Sequence, residues 1–527
     1  MVIFIKKINF SIKSILLIII ATILSKTFGF FREVSVGSIL GTSNVADAYI
    51  FAVSIPGIIL AGISEALSTV FIPIYSKLRV KNENEELYFV NNLMNVIFTV
   101  SIALALICVV FAKQIISIAA MGFDEPTFEI AIKMSRIIFL SIGLMGVNGI
   151  LQGYLQANSK FFIPAIVNVP NSIIIIISLL FYKYIGITGL SYAILIGMAT
   201  QTVLLLAKSL FSGYKHRFVI QFNDKNIKNI LILSLPVFLG SSVGQLNTLI
   251  NRMVASGLPV GSIASLNYAD KLYNFISGTV IFALSMVLYP VISERIAIND
   301  MAGFKNLILR SMNLITITLL PATVALLILN KPLVTFVFKR GSFDQNSTLL
   351  TSSALFYYAF GILFLGYREI IGKAFYSIQD TKTPTVNSII SIGVNIALNL
   401  ILSKVMLHNG LALASSISAV VLTIALIYSL RKKIGALSLH IIFNNFGKCL
   451  ISSTLMGIII YIIYALLKYK FETGGFLIQS IILITVVIVG AITYLVSLVV
   501  LRNNELIWGL EIVKNKYNSF VKMRKAS

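Results

Sequence analysis

The sequence predicts an all-α polytopic membrane protein: about fourteen transmembrane helices, arranged as two parallel six-helix repeats plus two extra C-terminal helices. Three observations predict it. First, the 527-residue chain is 57% hydrophobic and only 12% charged, with mean hydropathy +0.94, whereas about a quarter of a soluble domain is charged. Second, its apolar runs are long and continuous rather than alternating, which excludes a β-barrel. Third, the chain repeats itself. Residues 64–77, SEALSTVFIPIYSK, align without gaps to IFALSMVLYPVISE, pairing Ala66/Ala283, Leu67/Leu284, Ser68/Ser285, Val70/Val287, Pro73/Pro290 and Ser76/Ser293. GLSYA at 189–193 corresponds to GLALA at 410–414 at nearly the same offset.

Gly, Pro, Asn and charged residues divide the apolar runs into spans at 12–40, 45–77, 87–118, 128–157, 161–183, 187–212, 227–256, 265–294, 303–331, 346–377, 383–405, 409–431, 444–468 and 476–501. The N-terminal MVIFIKKINFSIKSILLIIIATIL has the outline of a signal peptide. It lacks a small-residue cleavage site and runs into a charged amphipathic helix, so it reads as a retained first span. Six helices per copy is an even number, so both copies enter the membrane the same way. The organisation expected is an N-terminal lobe at 1–222, a C-terminal lobe at 223–435, and helices 13 and 14 with a basic tail at 436–527. Parallel repeats of this kind place a substrate site between lobes, which is transporter architecture.

Loop charges give the orientation. Lys6, Lys7 and Lys13, then Lys77, Arg79 and Lys81, then Lys215, Arg217, Lys225 and Lys228, then Arg431 to Lys433 and the Lys-rich tail all fall on one side of a fourteen-span chain. Basic loops face the cytoplasm, so both termini are expected there. The net charge of +23 has the same origin. No Arg-rich amphipathic face or aromatic-interleaved basic tract accompanies it, so nucleic acid is not an expected partner. Anionic lipid head groups are.

Other chemistries are weakly supported. Cys108 and Cys449 lie far apart in predicted spans and read as packing thiols. His216, His408 and His440 have no ligand-like spacing to cysteine or carboxylate, so no metal site is expected. GYREIIGKA at 366–374 imitates a phosphate loop, but five residues separate its glycines and Ala374 replaces the Ser or Thr that would hold magnesium. The chain is therefore read as a secondary transporter and not an enzyme. It has no cofactor and is driven by a coupling ion (sodium or proton) or by the membrane potential.

Charges inside the spans mark the site, because a Lys, Arg or Asp at mid-bilayer costs at least ~2.5–3.5 kcal/mol and turns toward a bundle interior or wet cavity. Lys26, Arg32 and Glu33 lie in the first span, Asp47 and Glu65 in the second, Arg136 in the fourth, and Arg252 in the seventh. Asp270 and Lys271 lie in the eighth, and Arg368, Glu369 and Lys373 in the tenth. The substrate-binding set is read as Lys26, Arg32, Asp47, Glu65, Arg252, Asp270 and Lys271, with Lys26, Arg32 and Lys271 neutralising an anionic substrate. Asp47, near the outer end of its helix, and Asp270, beside Lys271, also read as local structural partners. Gly29, Pro56, Gly57 and Gly62 are the hinge candidates.

SKTFGFFREVSVGSILGTSNVADAYIFAVSIPGIILAGISEALSTVFIPIYSK resembles the N-terminal signature of the MurJ/MviN lipid II flippases, within the multidrug/oligosaccharidyl-lipid/polysaccharide exporter superfamily. GILQGYLQANSKFFIPAIVNVPN, ASGLPVGSIASLNYADKLYNF, GSFDQNSTLLTSSALFYYAFG and KAFYSIQDTKTP extend the resemblance, in order, over helices 1–11. It implies two lobes around a cationic cavity, a groove at helices 13 and 14 for a polyprenyl tail, and alternating-access transfer of undecaprenyl-pyrophosphate-linked peptidoglycan precursor to the outer leaflet for cell-wall synthesis. It implies lipid II and membrane lipids as partners, and a functional monomer that meets the cell-wall synthesis machinery. Arg32, Asp47 and Glu65 keep the family's residue types; Lys26 and Lys271 stand where arginine is usual, and Leu60 where many members place another arginine. Some relatives bind sodium between helices 7 and 11. Asn247 or Asn251 with Asn387, Asn395 or Asn399 would be the oxygen donors here, but no carboxylate accompanies them, so polar packing is the reading preferred. The alternatives are an exporter of another undecaprenyl-linked glycan (capsule, O-antigen or teichoic-type precursor) and, less favoured by the cation-rich cavity, a drug–cation antiporter.

Overall fold

Long apolar runs cannot leave backbone N–H and C=O groups unpaired in hydrocarbon, so they become helices. A computed structural model describes residues 12–507 except 82, 472–474 and 504; the side chains of 12–16, 61–65, 80–84, 236–237 and 239–243 lie outside what it describes. Among the described residues the chain is all-helical. In order, the helices are α1 Ile12–Leu40, α2 Asn44–Lys81, α3 Glu83–Val110, α4 Ala112–Ala119, α5 Glu125–Ile138, α6 Ser141–Ala157, α7 Phe162–Ile166, α8 Asn168–Leu180 and α9 Tyr182–Phe211. They continue with α10 Lys225–Ser256, α11 Ser262–Ala297, α12 Met301–Phe338, α13 Gln345–Ala359, α14 Ile362–Ser377, α15 Lys382–Met406, α16 His408–Ile434, α17 Leu439–Lys470 and α18 Phe476–Val500.

Nine helical stretches among the described residues, with α7 and α8 counted as one, are long and apolar enough to cross a membrane, and eleven spans result if two bent pairs each count as one. The outward faces agree. Leu477, Ile481, Ile484, Ile488, Ile492 and Val496 of α18 are all exposed large hydrophobics, an apolar face suited to lipid rather than water.

The first helix ends at Leu40, where the first span was expected to end, but runs of uniform hydropathy concealed breaks. The stretch expected at 128–157 is two helices, α5 and α6, bent by 46°, and that expected at 346–377 is α13 and α14, also bent by 46°. The second bend has an identifiable support. Ser416 Oγ of α16 donates to the carbonyls of Tyr357 (2.7 Å) and Tyr358 (3.3 Å), giving acceptors at the break a partner. Left-handed backbone recurs in pairs: Gly41 and Gly261, Ser159 and Gln379, Gly186 and Leu407, Gly213 and Gly435. Each pair stands at the separation of the GLSYA and GLALA segments to within one residue.

The chain divides into two compact units, residues 1–267 with 340–344, and residues 268–339 with 345–527. This division by packing falls elsewhere than the 222/223 repeat boundary, because α10 lies along α2. In the first unit α2 also packs on α5 and α6, α3 on α6, and α1 on α8. In the second unit α12 packs against α13, α14 and α17, while α15 pairs with α16 and α17 with α18. Tyr494 Oη of α18 donates to the Ile317 carbonyl of α12 at 2.9 Å. A buried set of Asn313, Asn445 and Asn503 adds polar contacts.

A feature of the first unit had no counterpart in the sequence reading. Asn91, Asn92 and Asn95 of α3 are buried and hold the extended segment after α9 as a neighbouring strand would. Asn91 Nδ2 donates to Lys215 O at 3.0 Å and its Oδ1 accepts from Arg217 N at 2.7 Å. Asn92 makes the same two-way pairing with Gln221, at 3.1 and 2.7 Å, and Asn95 Nδ2 donates to Arg217 O and Val219 O at 3.0 Å. Beneath this strap a chain of rings, Phe71, Tyr75, Tyr154 and Tyr214, runs through the core with centroids 5.3–5.6 Å apart. An Asn92→Leu variant would orphan the Gln221 N–H and leave its C=O only the 3.4 Å bond from Asp224 N, costing about 1–3 kcal/mol for a group that stays buried unpaired. Its thermal midpoint in detergent should fall clearly below that of an Asn226→Leu control.

Candidate functional site

The charges that made the first spans unusual are positioned by the two turns at one end of the first unit. Helix α1 ends at Gly41, whose φ of +59 favours glycine. Ser43 starts α2 by accepting from Ala46 N at 3.3 Å. Asp47, in the first turn of α2, is 4% exposed. Its Oδ2 accepts from Gly261 N and its Oδ1 from Ala264 N, both at 2.7 Å. Those N–H groups belong to the start of α11, where no helical acceptor exists and the helix dipole favours an anion. The carboxylate therefore caps a helix whose sequence position is more than two hundred residues away.

Other polar groups reinforce this end. Arg32 pairs with Glu33 at 2.8 Å, and the second Glu33 oxygen accepts from Asn267 Nδ2 of α11 at 3.2 Å. Arg252 of α10 donates to the Ile50 carbonyl of α2 at 2.6 Å. Asn44 Nδ2 reaches Asp124 at 3.2 Å, and the Phe51 and Phe123 rings meet edge-on at 5.2 Å. Ser342 N donates to Ser38 O at 2.7 Å. That bond is main-chain to main-chain, so it depends on how closely the two turns approach and not on side-chain type.

The structure thus brings Arg32, Asp47 and Arg252 into one end of the first unit, and adds Glu33, Asn44, Asp124 and Asn267, which the sequence reading did not include in its site. The signal was available only in part. Glu33 stood out as a charge in a span, but nothing in the sequence links Asn267 to it. Lys26 is exposed on α1, six residues before Arg32. Helices α1 and α2 continue through the hinge candidates Gly29, Pro56 and Gly57, and among the described residues no atom beyond the glycine's own stretch of helix lies within 4 Å of where a Cβ on either glycine would sit. Gly62 and the Glu65 side chain lie outside the described residues. Leu60 is buried, with 1% of its surface exposed.

Asp270 and Lys271 belong to the second unit. Asp270 accepts from Asn274 Nδ2 at 2.7 Å along its own helix, and Lys271 is half-buried. In α15 the buried Asn399 donates to Asn395 Oδ1 at 3.0 Å, and Asn387 donates to Ser429 Oγ of α16 at 3.0 Å. The first bond lies within α15, and the second joins α15 to α16. Asn247 and Asn251 are half-buried on α10. Among the described residues no group of three or more His, Cys, Asp or Glu side chains could hold a metal ion.

Comparison with known proteins gives this arrangement its family. The family model described as "Lipid II flippase MurJ" matches residues 36–499. The chain belongs to the lipid II flippase MurJ family. The "Probable lipid II flippase MurJ" of Buchnera aphidicola subsp. Schizaphis graminum is 29% identical over 92% of this chain and 96% of that protein. The protein of the same description from Aquifex aeolicus is 27% identical, with 92% and 94% covered. A solved structure, "Lipid II flippase MurJ, inward closed conformation", superposes with a TM-score of 0.79 at 28% identity, covering 93% of this chain and 99% of its own. An inward-facing multidrug resistance MATE transporter shares the fold, with a TM-score of 0.64 at 16% identity, covering 78% of this chain and 95% of its own.

Two substitutions test this description. Asp47→Ala removes two charge-assisted hydrogen bonds, each worth about 1.5–3 kcal/mol, and should lower the thermal midpoint in detergent. Leu60→Arg puts a cation at a fully buried apolar position and should reduce the yield of folded, monodisperse protein, where Leu60→Met should not.

Proposed function

We propose that this chain is a lipid II flippase, carrying undecaprenyl-pyrophosphate-linked peptidoglycan precursor from the inner to the outer leaflet of a bacterial cytoplasmic membrane by alternating access. The observation that carries this reading is the family match over residues 36–499. A diphosphate needs cations in a site of reduced dielectric. Lys26, Arg32 and Lys271 are the proposed partners for it, with Arg32 able to offer a planar fork and the two lysines point charges.

The proposed arrangement has fourteen spans. It adds α1, α2 and α10, each at least as long as a bilayer is thick, to the eleven given by the apolar test with bent pairs counted once. The paired 46° bends and paired left-handed residues support two six-helix repeats, 1–222 and 223–435, with 436–527 as an addition. In this reading both termini are cytoplasmic and the turns at 41–43 and 257–261 face outward. The polyprenyl tail remains in lipid beside the exposed apolar faces of α17 and α18. Transport is by a monomer working alongside the cell-wall synthesis machinery, and a coupling ion or the membrane potential drives it without ATP. Asp47, Glu33 and Arg252 stabilise the closed outer end, and Gly29, Pro56, Gly57 and Gly62 accommodate bending between states.

Complementation tests the reading. In a bacterium depleted of its own lipid II flippase, the wild-type gene should restore growth. Arg32→Ala should fail at equal membrane abundance, and Lys26→Arg should restore growth at least as well as wild type. Failure of the well-expressed wild-type protein would instead direct attention to another undecaprenyl-linked glycan.

A further inference from the structure

Glycines cluster where the outer-end turns of the first unit meet, and at four of them a side chain has nowhere to go. A Cβ at Gly41 would lie 2.5 Å from Ser342 O, and one at Gly341 would lie 2.3 Å from Ser38 O. A Cβ at Gly261 would lie 2.6 Å from Thr42 O, and one at Gly122 would lie 2.2 Å from Gly257 Cα. The nearest obstructing atom at each is main chain, so no rotamer change relieves it. Three of these glycines, Gly41, Gly261 and Gly341, also have positive φ and would be strained by any side chain. Gly122 does not share that backbone constraint, and only its contact with Gly257 explains why it lacks a side chain.

The contacts pair turns from the two halves of the chain. The turn after α1 meets residues 341–342, and the turn after α4 meets Ser256 and Gly257 at the end of α10, where Gly122 N also donates to Ser256 Oγ at 3.3 Å. Asp47 and Asn44 add polar bonds at the same junctions. We propose that Gly122 sets the outer closure: its missing side chain lets the 121–123 turn seat directly on the Gly257 backbone, and closure of this end requires that seat. This deepens the proposed transport reading by naming a positioning residue remote from the cations that would hold substrate.

The two glycines of this contact behave differently, which makes the proposal testable. A methyl on Gly122 collides with Gly257 Cα, whereas a methyl on Gly257 has its nearest neighbours at 3.7 Å and 4.0 Å, ordinary contact distance. Ser265 is fully buried beside the Asp47 junction. In full-length protein carrying Ser265→Cys, a membrane-impermeant maleimide added to intact cells reports opening from outside. Gly122→Ala should raise the labelling rate by at least tenfold over the parent and abolish complementation at equal membrane abundance. Gly257→Ala should change neither. Gly41→Ala serves as a second closure variant if Gly122→Ala does not accumulate, with the same increase expected.

Parent-like labelling with either closure variant would overturn the proposal, as would equal increases for Gly122→Ala and Gly257→Ala. The labelling readout needs no substrate, so its outcome stands apart from the flippase assignment. A wild-type chain that fails complementation but shows the Gly122-specific increase would refute the substrate and retain the seal.

Discussion

Asp47 accepts hydrogen bonds from Gly261 N–H and Ala264 N–H, partners 214 and 217 residues away in sequence. A carboxylate buried this thoroughly is tolerated only with strong donors, and the start of α11 supplies them without a cationic side chain. The geometry is demanding. The α1–α2 turn must deliver Asp47 to α11, which needs Gly41 in a left-handed conformation, Ser43 as the helix start, and Gly261 close against Thr42. Glu33 with Asn267 and Arg252 with Ile50 then fasten the helices that this one contact has aligned. This end of the first unit is thus organised by an anion binding main chain, while Arg32 pairs with Glu33 and Arg252 with the Ile50 carbonyl.

Much of the helix pattern was legible because hydrocarbon imposes a simple rule on sequence. Span positions follow from length and apolarity, and SEALSTVFIPIYSK with its later partner is the sequence basis for the proposed repeat. The bends were not legible at 138–141, since Ile138, Phe139, Leu140 and Ser141 include neither proline nor glycine. At 359–362 Gly361 gave a hint, but its bend is supported by Ser416 from another helix, which hydropathy cannot reveal. The site divides similarly. Charge in an apolar run singles out Lys26, Arg32 and Asp47. Whether a charge meets a carbonyl, a helix start or open space depends on tertiary neighbours. Arg252 and Asp47 have main-chain partners that no spacing in the sequence announces.

The asparagines show the same limit from the opposite side. Asn395 and Asn399 are oxygen donors by type and read as polar packing residues from sequence; in the structure both are buried and bonded to each other along α15. Asn91, Asn92 and Asn95 carried no expectation, although their amides hold a strand-like segment against α3. An Asn side chain presents a donor and an acceptor in nearly the geometry of a peptide group. On a helix beside an extended chain it can therefore complete a backbone that has no sheet to join.

The strap has a mechanical consequence for the loop leading into α10. Gln221 is bonded through both its N–H and C=O to Asn92, while Asp224 caps α10 by accepting from Asn226 N and Ile227 N. Only Phe222 and Asn223 lie between these two anchored residues. Two residues reach about 7 Å at full extension, so this connection behaves as a short crank rather than a tether. Displacement at the start of α10 is passed to α3 almost without slack, and extra length in the loop would decouple the two helices only if it entered at that two-residue joint.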